Sequence, residues 1–299
     1  MTTSSATGHR RNLVIVRAGN KSLHPDWLRG PEQRNWDLVI SYFGDDPDIY
    51  RGDDVVRIDS KGPKWPPLKA LLLDHPQYTQ DYDYVWLPDD DLEMTTADMN
   101  RFFDICREHD LELAQPSLTP NSPVTHPLVI NNTLSRIRFT NFVEVMAPCF
   151  SAACLRRALP TFDGTQSGWG IDWLWPRIVA KPDTAIAIVD AVVIRHTRPL
   201  GGPNYDAMRA QGLSPTAEWK TFREEQGIDK NRIEIHRVLW RSGRVEDVRG
   251  RSLSFATKFG LGYLHALINS PARLQLLRAA GGLINRPQKT TIASHGATL

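Results

Sequence analysis

The chain has 299 residues, 41% hydrophobic and 23% charged, enough apolar material to bury the core of one large α/β domain or two small ones. Lys and Arg total 36 against 34 Asp and Glu, a net charge of +2, and so even a balance argues against a nucleic-acid or polyanion binder. Cys106, Cys149 and Cys154 are odd in number and lack CxxC spacing, which argues against a disulfide framework and fits a reducing compartment.

Residues 1 to 11 are polar and have no apolar signal core, so they read as a disordered tail ahead of a cytoplasmic protein. Asn12 to Gly19 (NLVIVRAG) is a short apolar run closed by glycine, a buried strand leaving a sheet. Asp37 to Asp46 (DLVISYFGDD) repeats the pattern, and Asp54 to Ser60 gives a shorter strand. Pro66 to Pro76 starts with prolines and has helical apolar spacing. Tyr82 to Leu87 (YDYVWL) is the next strand. Thr96 to Asp110 is an amphipathic helix with a Thr cap, and Leu111 to Leu118 a strand. Strand then helix, repeated, predicts a doubly wound, mainly parallel sheet, in which ligands bind at the carboxyl ends of the strands.

The second half is less regular. Asn141 to Ser151 reads as one strand, followed by a helix over AACLRRALPTF. Ser167 to Val179 (SGWGIDWLWPRIV) opens as a Gly/Trp loop and continues as a helix. Ala185 to Pro199 is a long apolar run that ends in Arg195, His196 and Arg198. GGPNYDAM opens a loop. From about Ser252 the apolar spacing is helical, over FATKFGLGYLHALI and ARLQLLRAAGGLI. The expected division is a tail (1–11), an α/β domain (12–250) and a helical extension (251–299). No apolar run reaches the roughly 20 residues of a membrane span. Leu253 to Ile284 reads as a packing helix pair, since its Lys and Arg content is modest, ahead of a partner surface or a peripheral membrane contact.

Three groups of residues carry chemistry. Asp89, Asp90 and Asp91 follow the strand YDYVWL directly. Adjacent carboxylates repel and lose hydration on burial, so a protein cation or a bound metal ion must compensate them. An x-D-x-D turn lets two carboxylates face one hard cation, with phosphates completing the shell; the alternative is a solvated acidic turn. In SGWGIDW, Gly168 and Gly170 allow tight backbone approach, Trp169 and Trp173 offer flat faces to a sugar ring, and Asp172 is a candidate general base or a mere helix cap with the tryptophans in the core. His196 ends a strand and suits a Mn²⁺ or Mg²⁺ shell, or is a satisfied core histidine; Arg195 and Arg198 suit phosphates.

The order strand-DxD, GWGxD, strand-His resembles the GT-A class of nucleotide-sugar glycosyltransferases. Residues 12 to 205 resemble more closely a glycosyltransferase-like domain family of plants and bacteria, some plant members of which are labelled lysine ketoglutarate reductase trans-splicing related. The residues that carry this are KGPKW (Lys61 to Trp65), YDYVWLPDDDLEM, LAQPSL, APCFS, SGWGIDWLWP and IVDAVVIRHTRPLG. The resemblance implies a GT-A fold, with Mn²⁺ or Mg²⁺ on Asp89 and Asp91 and His196 as a third ligand. It implies Asp172 as the base that deprotonates an acceptor hydroxyl, and Arg17, Asp45, Lys64 and Asp90 near a nucleotide-sugar donor. Trp169, Gly170 and Trp173 would flank a carbohydrate or other hydroxyl acceptor. Two other readings of the same residues are a non-catalytic carbohydrate or nucleotide-binding module and a metal-dependent phosphoester hydrolase.

Overall fold

A computed structural model describes residues 10–52, 54–199, 208, 210, 212–228, 233–248 and 253–271. The loop expected at GGPNYDAM, the helix expected at ARLQLLRAAGGLI and most of the N-terminal tail lie outside these residues.

The core is one mixed sheet flanked by helices, an α/β architecture. Its strands are β1 (Asn12–Ala18), β2 (Trp36–Tyr42), β3 (Val56–Asp59), β4 (Tyr84–Trp86), β5 (Leu92–Glu93), β6 (Leu113–Leu118), β7 (Ser135–Thr140), β8 (Cys149–Ser151), β9 (Ile186–His196), β10 (Ile235–Trp240) and β11 (Val245–Asp247). They lie in the order β11-β10-β7-β9-β6-β8-β4-β1-β2-β3, with β5 paired to β9. The stretch β4-β1-β2-β3 is parallel throughout, as the strand-helix alternation predicts. Beyond it β8 runs antiparallel between β4 and β6, while β6 and β9 are parallel.

The unbroken apolar run of β1 follows from this position. Val14, Val16 and Ala18 enter the core on one face of the sheet, and Leu13 and Ile15 enter the core on the other. A central strand covered on both sides has no solvent face on which to place polar residues.

The helices flank the strand ends. Pro66 and Pro67 sit in the first turn of α1 (Trp65–Asp74), where a missing N–H costs nothing. The helix α2 (Thr96–Glu108) is capped by Thr95 in a reciprocal box with Asp98, an arrangement worth about 1 kcal/mol. α3 (Ala152–Ala158) follows β8, and α4 (Pro215–Glu225) packs over the Gly/Trp loop. Phe255 and Phe259 of α5 (Leu253–Leu261), Tyr263 after it and Ala266 of α6 (Leu264–Asn269) pack into a third core with Trp240 and Val238. Among the described residues no helix is long and apolar enough to cross a membrane.

Two expected elements differ. Of Asn141 to Ser151 only the last three residues are strand, and the strand in this region is β7, one step earlier. The segment between folds back on itself through the bond from the Ala147 N–H to the Glu144 carbonyl. The helix expected after SGWG is two single 3₁₀ turns, Ile171–Trp173 and Trp175–Arg177. Pro176 has no N–H with which to continue an α-helix.

The strand β9 contains a wholly buried ion pair. Its pairing with β6 jumps after Pro116, from Pro116 opposite Val189 to Ser117 opposite Val193, and Asp190 sits in the jump. Arg138 of β7 grips the Asp190 carboxylate with two N–H groups, at 2.6 and 2.8 Å, and both side chains are 0% exposed. The Asn132 N–H and the Ser135 hydroxyl also donate to Asp190, and Arg138 donates to the Tyr263 hydroxyl. Replacing one partner strands the other charge in the core. Asp190→Asn is therefore expected to destabilise the fold by about 3–5 kcal/mol in urea unfolding, while Arg138→Met/Asp190→Leu recovers most of that loss.

Candidate active site

The three aspartates leave the carboxyl end of β4, and each meets a different cation. Lys64, just before α1, donates to Asp89 Oδ1 at 2.6 Å and to the Val145 carbonyl at 2.7 Å. Arg198 donates to Asp90 Oδ1 at 2.8 Å, and the Gly19 N–H donates to Asp90 Oδ2 at 2.9 Å. His196, the last residue of β9, presents Nε2 to Asp91 Oδ2 at 3.2 Å. The compensation that the sequence demands is thus supplied by the protein itself, residue by residue.

Asp90 and Asp91 are 8% exposed and His196 7%, while the Asp89 side chain keeps 38% of its surface open. Burial pushes the Asp89 and Asp90 carboxyls up from their ordinary values and the Lys64 ammonium down. Burial also works against the charge on His196, but the hydrogen bond and charge of Asp91 outweigh it and raise the imidazole to about 9.

Beside these paired charges lies a pair of carboxyls that make no ion pair among the described residues, although the His196 charge reaches Glu144. The Asp172 carboxyl is 5% exposed, and the nearby backbone N–H groups of Val145 and Trp173 favour its charge only weakly against burial. Burial first, and then the charge of Glu144, push it up to about 8. Glu144, 7% exposed, is itself pushed up to about 7 by burial. Asp172 Oδ1 and Glu144 Oε2 are buried without a hydrogen-bond partner. Val145 lies between the two groups: its carbonyl accepts from Lys64, and its N–H is close enough to Asp172 to favour the charged carboxylate. Glu144 was not singled out from the sequence; its signal there is an acid set inside the apolar run FVEVM.

The remaining expected residues divide. Arg17 is buried at the end of β1 and donates to the Ser41 hydroxyl and to the carbonyls of Ser60 and Gly62, which fixes the KGPKW loop. Asp45 lies on the exposed rim, paired with Lys61 at 2.6 Å. Arg195 is not brought to the cluster: neighbours on a strand face opposite ways, and it pairs with Glu93 in solvent. Trp173 packs on Phe142, ring centres 4.6 Å apart, and edge-on to His126. Trp169 is partly buried, and its N–H donates to the Ser167 hydroxyl. Gly170 has φ 99°, and a Cβ there would lie 2.4 Å from the Trp219 ring of α4. This glycine is explained by left-handed backbone and close helix packing.

Among the described residues no three His, Cys, Asp or Glu side chains are grouped to hold a metal ion alone. Asp91 and His196 nevertheless fit an open site of two protein ligands. Asp91 Oδ1 is buried with no partner. His196 Nδ1 lies 2.8 Å from the Pro123 carbonyl, which turns Nε2 toward Asp91, where a metal ion would take the place of the Nε2 proton. Mg²⁺ and Mn²⁺ sites that also bind phosphates commonly use so few protein ligands.

A family model described as "Protein of unknown function (DUF707)" matches residues 53–236, more than half of the chain. No curated protein matches the sequence. Among solved structures, the chain is similar to residues 1–349 of TarS from S. aureus in complex with UDP-GlcNAc, at 12% identity and a TM-score of 0.48, covering 91% of this chain and 88% of that one. It is also similar to GalNAc-T7 with UDP, GalNAc and Mn²⁺, at 11% identity and a TM-score of 0.47, covering 74% and 55%.

The carboxyl of Asp172 makes stability depend on pH. It ionises at about 8 when folded against an ordinary value of 3.8, so the unfolded chain gives up this proton first and the fold loses stability as pH rises between those values. In metal-free buffer Asp172→Asn is expected to raise the unfolding midpoint at pH 8, by several degrees, and to leave it unchanged at pH 4. Thermal unfolding of the two proteins across that range checks this.

Proposed function

The chain belongs to the DUF707 family, and we propose that it is a glycosyltransferase of the GT-A kind, transferring a sugar from a nucleotide-diphosphate sugar to a hydroxyl acceptor with inversion. The observation that carries this reading is the contrast inside one buried cluster. The aspartates at the end of β4 have protein cations, whereas Asp172 has none and ionises at about 8. A carboxyl that is half ionised near neutral pH is matched to accepting a proton from a hydroxyl.

In this mechanism Asp172 holds the acceptor hydroxyl and takes its proton as the oxygen attacks the anomeric carbon. The new C–O bond forms on the face opposite the leaving diphosphate, and the electron pair of the broken bond departs on phosphate oxygen. Glu144, uncompensated like Asp172, competes for the same proton and keeps the basicity of the pair near neutral. Arg198, more than a third exposed, turns its free N–H groups to the diphosphate. Lys64 fixes Asp89 and the Val145 carbonyl, and so holds the segment that carries Glu144 and Val145 against the strand end. Asp91 and His196, with Asp89 beside them, would hold Mn²⁺ or Mg²⁺. When bound, such an ion neutralises charge developing on the diphosphate.

The test is a thermal-shift screen of nucleoside diphosphates and sugar nucleotides with Mn²⁺ or EDTA. One nucleotide class is expected to stabilise the protein only with Mn²⁺, by about 2.7 kcal/mol at a hundredfold excess over Kd. Asp91→Asn and His196→Ala are expected to lose that dependence. Asp172→Asn is expected to keep donor binding and to lose roughly 10²–10⁴-fold in transfer. Absence of any nucleotide-dependent shift in the wild type would reject the reading.

A further inference from the structure

The stretch Leu253–Asn269 is apolar on two sides. Its inner side, with Phe255, Phe259, Tyr263 and Ala266, is buried against Trp240 and Ile130. Its outer side carries Leu253 at 84% exposure, Leu261 at 55%, Leu264 at 53% and Ile268 at 69%. Leu264 and Ile268 are four apart on α6 and so share a face. Leu253 and Ile268 are the two most exposed large hydrophobic residues among those described. Large apolar side chains exposed to this degree on one face are ordinarily covered by something.

The charge distribution along the sequence identifies the cover. Seven of the 36 Lys and Arg residues and none of the 34 Asp and Glu residues come after Asp247, so the chain up to Asp247 carries a formal charge of −5 and the remainder +7. Arg249 and Arg251 directly precede α5, Lys258 lies within it, and Arg273 and Arg278 follow α6 in sequence. A second copy of this stretch would bring like charge against like charge. An anionic bilayer offers the opposite sign and an apolar interior at once.

We propose that the outer side of Leu253–Asn269 docks on an anionic phospholipid surface, with Leu264 and Ile268 inserted at the level of the acyl chains and the net positive charge of the sequence after Asp247 drawing it to the headgroups. The docking is peripheral and does not depend on the reaction assigned to the strand ends.

The experiment is vesicle flotation of the full chain with neutral phosphatidylcholine and with a 7:3 mixture of phosphatidylcholine and phosphatidylglycerol. Wild type is expected to float with the anionic vesicles, to stay down with the neutral ones, and to be released as salt is raised. Leu264→Ser/Ile268→Ser, at positions more than half exposed, is expected to keep its unfolding midpoint and to bind at least about tenfold more weakly. Arg273→Glu/Arg278→Glu is expected to weaken binding as well. No flotation with anionic vesicles would overturn the proposal. So would flotation that ignores the leucine and isoleucine changes, or a dimer in light scattering that the same changes dissolve, because the face would then be covered by a second copy.

Discussion

Three consecutive carboxylates cannot share one patch of protein without being held apart, and much of this molecule is arranged around holding them. Asp89 draws in Lys64 from the start of α1, Asp90 draws in Arg198 and the backbone of Gly19, and Asp91 meets the last residue of β9. Each aspartate therefore ties the end of β4 to a different part of the chain, over sequence separations from 25 to 108 residues. Like charges at neighbouring positions become cross-links between distant segments. The desolvation they suffer is offset only because every partner arrives with its charge already directed. In a parallel sheet the strand ends are where backbone groups run out of ladder partners, so this is also where a polar cluster interrupts least.

Against that background the Glu144–Asp172 pair stands out by its lack of compensation. Two buried acids with one unpartnered oxygen each weaken the fold at neutral pH, and a core selected for stability alone would have replaced them. Sites that break a local rule in this way are where function is to be sought. The surroundings are otherwise built with care. The Trp173 N–H donates to the Gly170 carbonyl and closes the turn that carries Asp172, the left-handed Gly170 brings α4 down on the loop, and Glu218 of α4 accepts from the N–H groups of Gln166 and Ser167 to pin its start. A rigid frame around an uncompensated acid is the arrangement that proton transfer requires.

Much of this was legible in the sequence. Runs such as NLVIVRAG show their burial on both faces by having no polar alternation, and the positions of Asp89, Asp91, Asp172 and His196 at strand or loop ends follow from where those runs stop. Pairing was not legible. Nothing local says that Lys64 reaches Asp89, or that Arg195 and His196, adjacent in sequence, go to opposite faces. The irregular region misled for a definable reason: Asn141 to Ser151 has strand composition throughout, but its middle is consumed in carrying Glu144 and Val145 to the site. One signal was available and general. A charge set inside an apolar run, as in VIVRAG, RIRFT, FVEVM or IVDAV, marked Arg17, Arg138, Glu144 and Asp190, all of them buried.

The same buried charges bear on the C-terminal helices. Arg138 reaches from Asp190 to the Tyr263 hydroxyl, Asn132 donates to the Phe259 carbonyl, and Thr133 donates to the Gly262 carbonyl. Gly262 is pressed so closely on Asn132 that a Cβ would lie 1.9 Å from its side-chain oxygen. These bonds are made by the inner side of the stretch and are shielded from water, so they fix its rotation about its own axis. A helix free to roll would turn Leu264 and Ile268 inward and present its polar residues. This one cannot roll without breaking a buried network centred on a fully desolvated ion pair, and its apolar outer side is therefore held facing away from the core.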